Sequence, residues 1–222
     1  IHVALDRSSL DEDHRPHWLD LFCGGGHLLQ EVQRHQPEMN WQLTGIDASA
    51  PQCRMARRRV PDAKIIHGDA TKHRASEPCD VVSCLGGSIN EIHDRRELQR
   101  TLRRWIKRVR HGGLMIFDAN TPDGMAHNAG RMIACEKGDH PFWLTWRYLP
   151  KRQMIEWHFT AMVRTEDAFF RRHHWTHHQR GYALSDIEPL LQEMGLKYQV
   201  LDTTTLAEPD ALSAALLYIV EA

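Results

Sequence analysis

The triplet Gly24-Gly25-Gly26 stands directly after the apolar run Trp18-Leu19-Asp20-Leu21-Phe22, and Leu28, Leu29 and Val32 follow it at helical spacing. A glycine-rich turn between strand and helix lets a ligand approach the backbone, and the free N–H groups of the helix start can face it. Three carboxylates accompany the turn. Asp20 precedes it, placed to orient the loop and to meet a ligand ammonium through the backbone or water. Asp47 ends a second apolar run, Gln42 to Ile46, where a carboxylate can accept hydrogen bonds from both hydroxyls of a ribose. Asp69 follows a third run in His67-Gly68-Asp69-Ala70, where it can accept from an adenine amino group. Each feature alone has an ordinary explanation as a turn or surface residue. The ordered set, at the C-terminal ends of successive strands, is where open α/β sheets bind ligands. The dinucleotide pattern GxGxxG, started at Gly24, needs glycine at position 29, where Leu29 stands.

A second group could handle a reactant. In Ser88-Ile89-Asn90-Glu91-Ile92-His93, the residues Asn90, Glu91 and His93 can position an amine or take a proton; the structural alternative is a turn at Asn90 before an Asp94 helix cap. The chain has sixteen histidines, densest at 173–178. On a strand, alternation sets His174, Thr176 and His178 on one face and His173, Trp175 and His177 on the other. We take Glu91, His93, His174 and His178 as candidate catalytic groups, and Asn90 and Trp175 as candidate substrate contacts. Trp143, Trp146, Trp157 and Trp175 can wall an apolar or aromatic reactant. No carboxylate or cysteine joins the histidines at a standard ligand spacing, so no metal is assigned.

These residues need a scaffold. The helix at 49–59 takes Ser49 as its cap, with Pro51 in its first turn. Strands follow at 63–67 and 80–85. Asp94 and Glu97 open a helix with the stripe Leu98, Leu102, Trp105, Ile106 and Val109, stopped by Gly112-Gly113 before a fifth strand at 114–117. Alternating strands and helices imply right-handed βαβ units and a parallel sheet. Residues 121–150 have no clear period; 155–164 and 168–180 read as strands joined by Glu166-Asp167. We read 121–182 as a cap containing a β-hairpin, and 1–15 as a polar N-terminal arm, within a single domain over 1–222. A helix at 185–194, capped by Ser185 and stopped by Gly195, leads to an antiparallel pair at 198–201 and 216–220.

Composition narrows the function. The chain has 222 residues, 41% of them hydrophobic, and a net charge of -1, which argues against a domain built to hold nucleic acid. The basic residues of Arg95–Arg110 and Arg57–Arg59 lie off the apolar stripes and read as solvated faces. No apolar run reaches the ~20 residues of a membrane span. The five cysteines form no CxxC pair, which suits a reduced, cytoplasmic setting. The chain opens on Ile1, which leaves room for native sequence ahead of it; the polar opening shows no secretory signal.

The stretches LDLFCGGGHL (19–28), LTGIDAS (43–49), IIHGDATK (65–72), CDVVSCLGGSINEI (79–92) and HGGLMIFDAN (111–120) together resemble the class I S-adenosylmethionine-dependent methyltransferases. The resemblance implies a Rossmann-like, seven-stranded, mostly parallel sheet with the last strand antiparallel, helices on both faces, and the cap as an insertion. It implies S-adenosylmethionine as cofactor, held by Asp20, Phe22, Gly24, Gly26, Asp47, Ala48, Gly68, Asp69, Ala70 and Leu85. Within that set Gly24 and Gly26 surround the methionine part, Asp47 meets the ribose, Asp69 and Ala70 the adenine, and Leu85 the sulfonium. Phe22 departs from the pattern, since many members have the first glycine of GxGxG there. The implied reaction is in-line methyl transfer to a nitrogen or oxygen of a small molecule. The cap resembles small-molecule methyltransferases, including those that dimethylate amino sugars, with Tyr182-Ala183-Leu184-Ser185-Asp186 after the histidine strand. LDLFCGGG also resembles the first motif of DNA cytosine-C5 methyltransferases, but Cys84 lacks the preceding proline those enzymes need. RNA or protein acceptors, an NAD(P)-dependent oxidoreductase and a non-catalytic cofactor-binding module are the competing readings. A homodimer is compatible with all of them.

Overall fold

The computed structural model describes residues 14–73, 77–138, 140–167 and 169–222. The expected arm lies outside the described residues up to position 13.

Strand β1 (His17–Leu21) is buried from Trp18 onward, and β4 (Cys79–Cys84) is buried throughout. Continuous buried runs are what a parallel sheet covered on both faces requires. The other parallel strands are β2 (Gln42–Asp47), β3 (Lys64–His67) and β5 (Val109–Asn120). With β10 (Lys197–Asp202) and β11 (Ala215–Glu221) they form one seven-stranded sheet in the order β10-β11-β5-β4-β1-β2-β3. Strand β11 runs antiparallel to both its neighbours. The chain builds outward from β1 to β3, then crosses back to β4. The crevice at the C-terminal ends of β1 and β4 is therefore the switch point where such sheets hold ligands.

Helices cover both faces. α1 (His27–His35) and α2 (Ala50–Arg59) place Leu29, Val32, Cys53 and Ala56 against Trp18 and Leu43. α3 (Arg95–Ile106) and α5 (Leu184–Glu193) bury Leu98, Leu102, Trp105, Ile187 and Leu191 with Phe117 and Tyr218. Asp94 caps α3 by accepting from the Glu97 N–H at 2.8 Å. Among the described residues, no helix is long and apolar enough to cross a membrane.

Four expectations are corrected. Val109 belongs to β5 rather than to the α3 stripe, because α3 ends at Ile106. Gly112-Gly113 sit inside β5, not at a helix stop. A Cβ on Gly113 would meet the Asp80 carbonyl oxygen at 2.6 Å, and the β4–β5 register shifts beside it. Ser185 lies inside α5, whose cap is Ala183; the Ala183 N–H donates to the Asp186 carboxylate at 3.0 Å. Finally, residues 121–150 are structured. α4 (Pro122–Asn128) precedes β6 (Met132–Lys137) and β7 (His140–Leu149), and these pair with β8 (Met154–Arg164) and β9 (Phe170–Arg180). The expected β8–β9 hairpin is thus the edge of an antiparallel four-stranded sheet, ordered β6-β7-β8-β9.

Candidate active site

The glycine turn closes the end of β1. Phe22 adopts φ +55°, followed by Gly24 at +50° and Gly26 at +76°. Phe22 therefore takes a left-handed conformation that favours glycine, and its ring packs edge-on against Trp105 at 6.2 Å. A Cβ on Gly26 would lie 3.1 Å from Ala56 Cα, so glycine here lets α1 approach α2. Gly26 caps α1 without a side-chain bond, and the first turn carries no acidic residue. That leaves its N–H groups for loop or ligand.

Asp47 ties this turn to β2. Its Oδ2 accepts from the Gly24 N–H and its Oδ1 from the Ser49 N–H, both at 2.8 Å. Its backbone carbonyl accepts from the Gly68 N–H at 2.9 Å, and the Ala48 carbonyl bonds His67 Nε2 at 3.0 Å. Asp69 is engaged in its own turn: Oδ1 accepts from the Thr71 N–H and hydroxyl, and Oδ2 pairs with Lys72 Nζ at 2.8 Å. Partial burial opposes its ionisation, but the Lys72 and Thr71 hydrogen bonds outweigh that and hold it below its ordinary value. Ala70 is buried, and its carbonyl accepts from Trp105 Nε1. Leu85 is half-buried where the chain leaves β4.

Asp20 is buried, 3% exposed. Its Oδ1 accepts from the Ser83 hydroxyl at 2.8 Å, and Ser83 in turn accepts from Trp18 Nε1 at 2.8 Å. Burial pushes the Asp20 carboxyl up to about 7, against the Ser83 hydrogen bond and with help from the charge of Asp47. A buried carboxylate in this state is stabilised by a cation placed against it.

The acceptor side begins beyond β4, with a short 3-10 turn at Ser88–Glu91. Asn90 is fully buried and acts as a clamp. Its Nδ2 donates to the carbonyls of Asn120 and Arg180, at 3.0 and 2.6 Å, and its Oδ1 accepts from the Asn120 N–H at 2.9 Å. From within the turn read from sequence it joins the end of β4 to β5 and β9, and its amide is spent on backbone groups rather than turned toward a substrate. Glu91 Oε1 accepts from His177 Nε2 at 2.6 Å and from Gln179 Nε2 at 3.0 Å. That hydrogen bond raises the His177 pKa, against partial burial.

The histidine assignment changes accordingly. His174 bonds the Thr160 hydroxyl at 2.9 Å and stacks near His158, while His178 sits 3.5 Å from Glu156. Both lie on the face of β9 opposite His177, so neither meets Glu91. His93 bonds the His178 carbonyl at 3.0 Å through Nε2 rather than joining the pair. Trp175 shares the His177 face and stacks on Phe159. His177 and Gln179 are the residues sequence reasoning passed over. Their signal was the alternation that already grouped His177 with Trp175.

Residues 19–113 match the family described as methyltransferase domain. A dTDP-3-amino-3,6-dideoxy-alpha-D-glucopyranose N,N-dimethyltransferase from Streptomyces fradiae is 30% identical over 118 residues, 52% of this chain and 45% of that protein. The chain thus spans less than half the length of that curated relative. A solved S-adenosylmethionine-dependent methyltransferase from Clostridium acetobutylicum superposes with a TM-score of 0.80 at 18% identity, covering 94% of this chain and 84% of that one. A sugar N-methyltransferase from Streptoalloteichus gives 0.73 at 19% identity, over 94% and 81%. At these identities the two structures bear on the fold alone. Residues 19–113 thus resemble a methyltransferase domain, in a chain that shares the Rossmann-like fold of the solved S-adenosylmethionine-dependent methyltransferase.

Proposed function

We propose that this protein binds S-adenosylmethionine at the ends of β1 and β2 and methylates a nitrogen of a small-molecule acceptor. One observation carries the reading. His177 of β9 is bonded to Glu91 on the segment leaving β4, the direct neighbour of β1, whose end carries Asp20 and the glycine turn.

The residues present fit the cofactor. Asp20 is a buried carboxylate that burial raises to about 7, and a ligand ammonium placed against it would favour its ionised form. Asp47 stands against the glycine turn, within reach of ligand hydroxyls there. S-adenosylmethionine, when bound, supplies a methyl group on a sulfonium.

The chain's own contribution is to orient and deprotonate the acceptor. An amine attacks only through its free lone pair, so an acceptor arriving as an ammonium must first lose a proton. The Nε2 bond to Glu91 sets the His177 tautomer and leaves Nδ1 to take that proton, directly or through one water. Glu91 then stabilises the imidazolium. The Streptomyces fradiae relative, named for N,N-dimethylation of an amino sugar, supports nitrogen over oxygen.

In this reading 1–222 is one domain with 121–182 as its acceptor-side cap, working in the cytoplasm. The acceptor is not nucleic acid, in keeping with a net charge of -1. A homodimer is a further proposal, read out by light scattering.

Isothermal titration with S-adenosylhomocysteine, with NADH in parallel, tests the cofactor. Micromolar binding of the first, lost in Asp47→Ala, is expected. Preference for NADH would replace this reading with an oxidoreductase.

A further inference from the structure

We propose that the face of the cap sheet bearing His177 is the subsite for the acceptor's body, and that this body is a planar apolar ring system carrying the methylated nitrogen. The proposal rests on the methyltransferase reading above.

Cross-strand register defines the face. His177 is paired with Trp157, Trp175 with Phe159, and His173 with Ala161; Phe142 extends the last row from β7. Alternate residues share a face, and each row is ~7 Å from the next. Rings of Phe159 and Trp175 therefore lie one row from the Glu91–His177 pair, and Ala161 and Phe142 lie two.

A cavity of about 600 Å³ opens over these outer rows, lined by Phe142, Phe159, Ala161, Trp175 and His140 among others. That volume is in the range of small-molecule pockets. Phe159 and Trp175 are stacked at 5.1 Å with 1° between their planes, and Trp175 is 49% exposed. They form a flat platform with an open side. Among the described residues that line the cavity, none is an arginine or lysine, which favours an apolar body over a phosphate.

Polar groups stand in the His177 row and in the row beyond it, away from the platform. Trp157 Nε1 and Gln179 Oε1 are buried without a hydrogen-bond partner. One is a donor and the other an acceptor, on the same face as His177. They suit a polar atom near the methylated nitrogen, with the ring beyond it over Phe159 and Trp175.

The test uses the full chain saturated with S-adenosylhomocysteine, titrated with 2-naphthylmethylamine and with glucosamine. The naphthyl amine is expected to bind about tenfold tighter or more, and Trp175→Ala to remove about that factor. Ala161→Trp, which fills the cavity from the opposite side, should weaken it likewise. S-adenosylhomocysteine affinity should stay unchanged in both. Tighter glucosamine binding, or naphthyl affinity unmoved in both variants, overturns the proposal. So does a wild-type dimer that Trp175→Ala converts to monomer without touching naphthyl binding, since the face is then a subunit interface. Failure of S-adenosylhomocysteine to bind, with Trp175-dependent naphthyl binding retained, overturns the methyltransferase reading and leaves the subsite standing.

Discussion

His177 Nε2 lies 2.6 Å from Glu91 Oε1, a bond across 86 residues that fastens the cap strand β9 to the turn beyond β4. The bond raises the His177 pKa, so the ring is a stronger base but is protonated over a wider pH range. If the neutral ring takes the acceptor proton, kcat/KM climbs as pH rises through the His177 pKa. Glu91→Gln removes the raising cause, so the ascending limb should move to lower pH while the plateau falls. His177→Gln should abolish the limb and lower kcat by about 10²–10⁴-fold. Rate profiles of the three proteins check this; a limb that stays in place in Glu91→Gln would remove the pair from proton transfer.

Asp47 makes the corresponding prediction for the cofactor. Its carboxylate holds the Gly24 and Ser49 N–H groups at 2.8 Å each. Bonds to a charged group contribute about 1.5–3 kcal/mol each. Asp47→Ala should weaken S-adenosylhomocysteine binding by about 10²-fold or more, through the loosened turn and lost ligand contacts. Asp47→Asn keeps one acceptor and should fall between the two in the same titration.

The parallel sheet was legible because its strands are continuous buried runs ending in marked turns, and the glycine turn with Asp20 and Asp47 came with it. The cap was not. On β7, Phe142, Leu144, Trp146 and Tyr148 share one face, but Trp143, which pairs with Thr160, and Leu149 fill the other and mask the period of two. Without β6 and β7, nothing in the sequence says which face of β9 looks inward. The alternation of His173 to His178 holds on β9, and on it His177, rather than His174 or His178, faces Glu91. Asn90 shows a second limit. Its partners, Asn120 and Arg180, are 30 and 90 residues away, so no local pattern encodes the clamp.

That clamp has a sharp signature. Asn90→Ala leaves the Asn120 N–H and the Arg180 carbonyl without their Asn90 partner, while the Asn120 carbonyl keeps the Tyr182 N–H, at a cost of about 2–4 kcal/mol. Asn90→Asp is nearly isosteric, yet points an anion at the Asn120 and Arg180 carbonyls. Its carboxyl should be held protonated, so the variant should be tolerable near pH 4 and unfold as pH rises. Urea melts at acid and neutral pH would show this, and equal midpoints at both would contradict the clamp.

Phe22 holds a left-handed backbone at φ +55°, which costs a non-glycine residue about 1–2 kcal/mol. It repays this by packing on the core beside Trp105. Phe22→Ala keeps the strain and loses the packing; Phe22→Gly loses the packing but relieves the strain. Glycine should therefore be the more stable variant by about 1 kcal/mol, the reverse of the usual order. Alanine outranking glycine in thermal melts would deny the strained conformation.

Asp20 couples stability and cofactor binding to pH. Its carboxyl is raised from 3.8 to about 7 in the folded protein, first by burial. A raised pKa means the folded state keeps a proton that the unfolded state has released. Stability from this group is thus full below pH 3.8 and is lost as pH rises to about 7. Asp20→Asn has no such loss and can still accept from Ser83, so without ligand it should equal or exceed the wild type in Tm at pH 8. The order should invert on adding S-adenosylhomocysteine, whose ammonium favours the ionised carboxylate. Binding near pH 6 should then release a proton from wild type and none from the variant, which titrations in buffers of different ionisation enthalpy resolve. Equal proton release from both would place the ligand ammonium elsewhere and leave Asp20 a purely structural partner of Ser83.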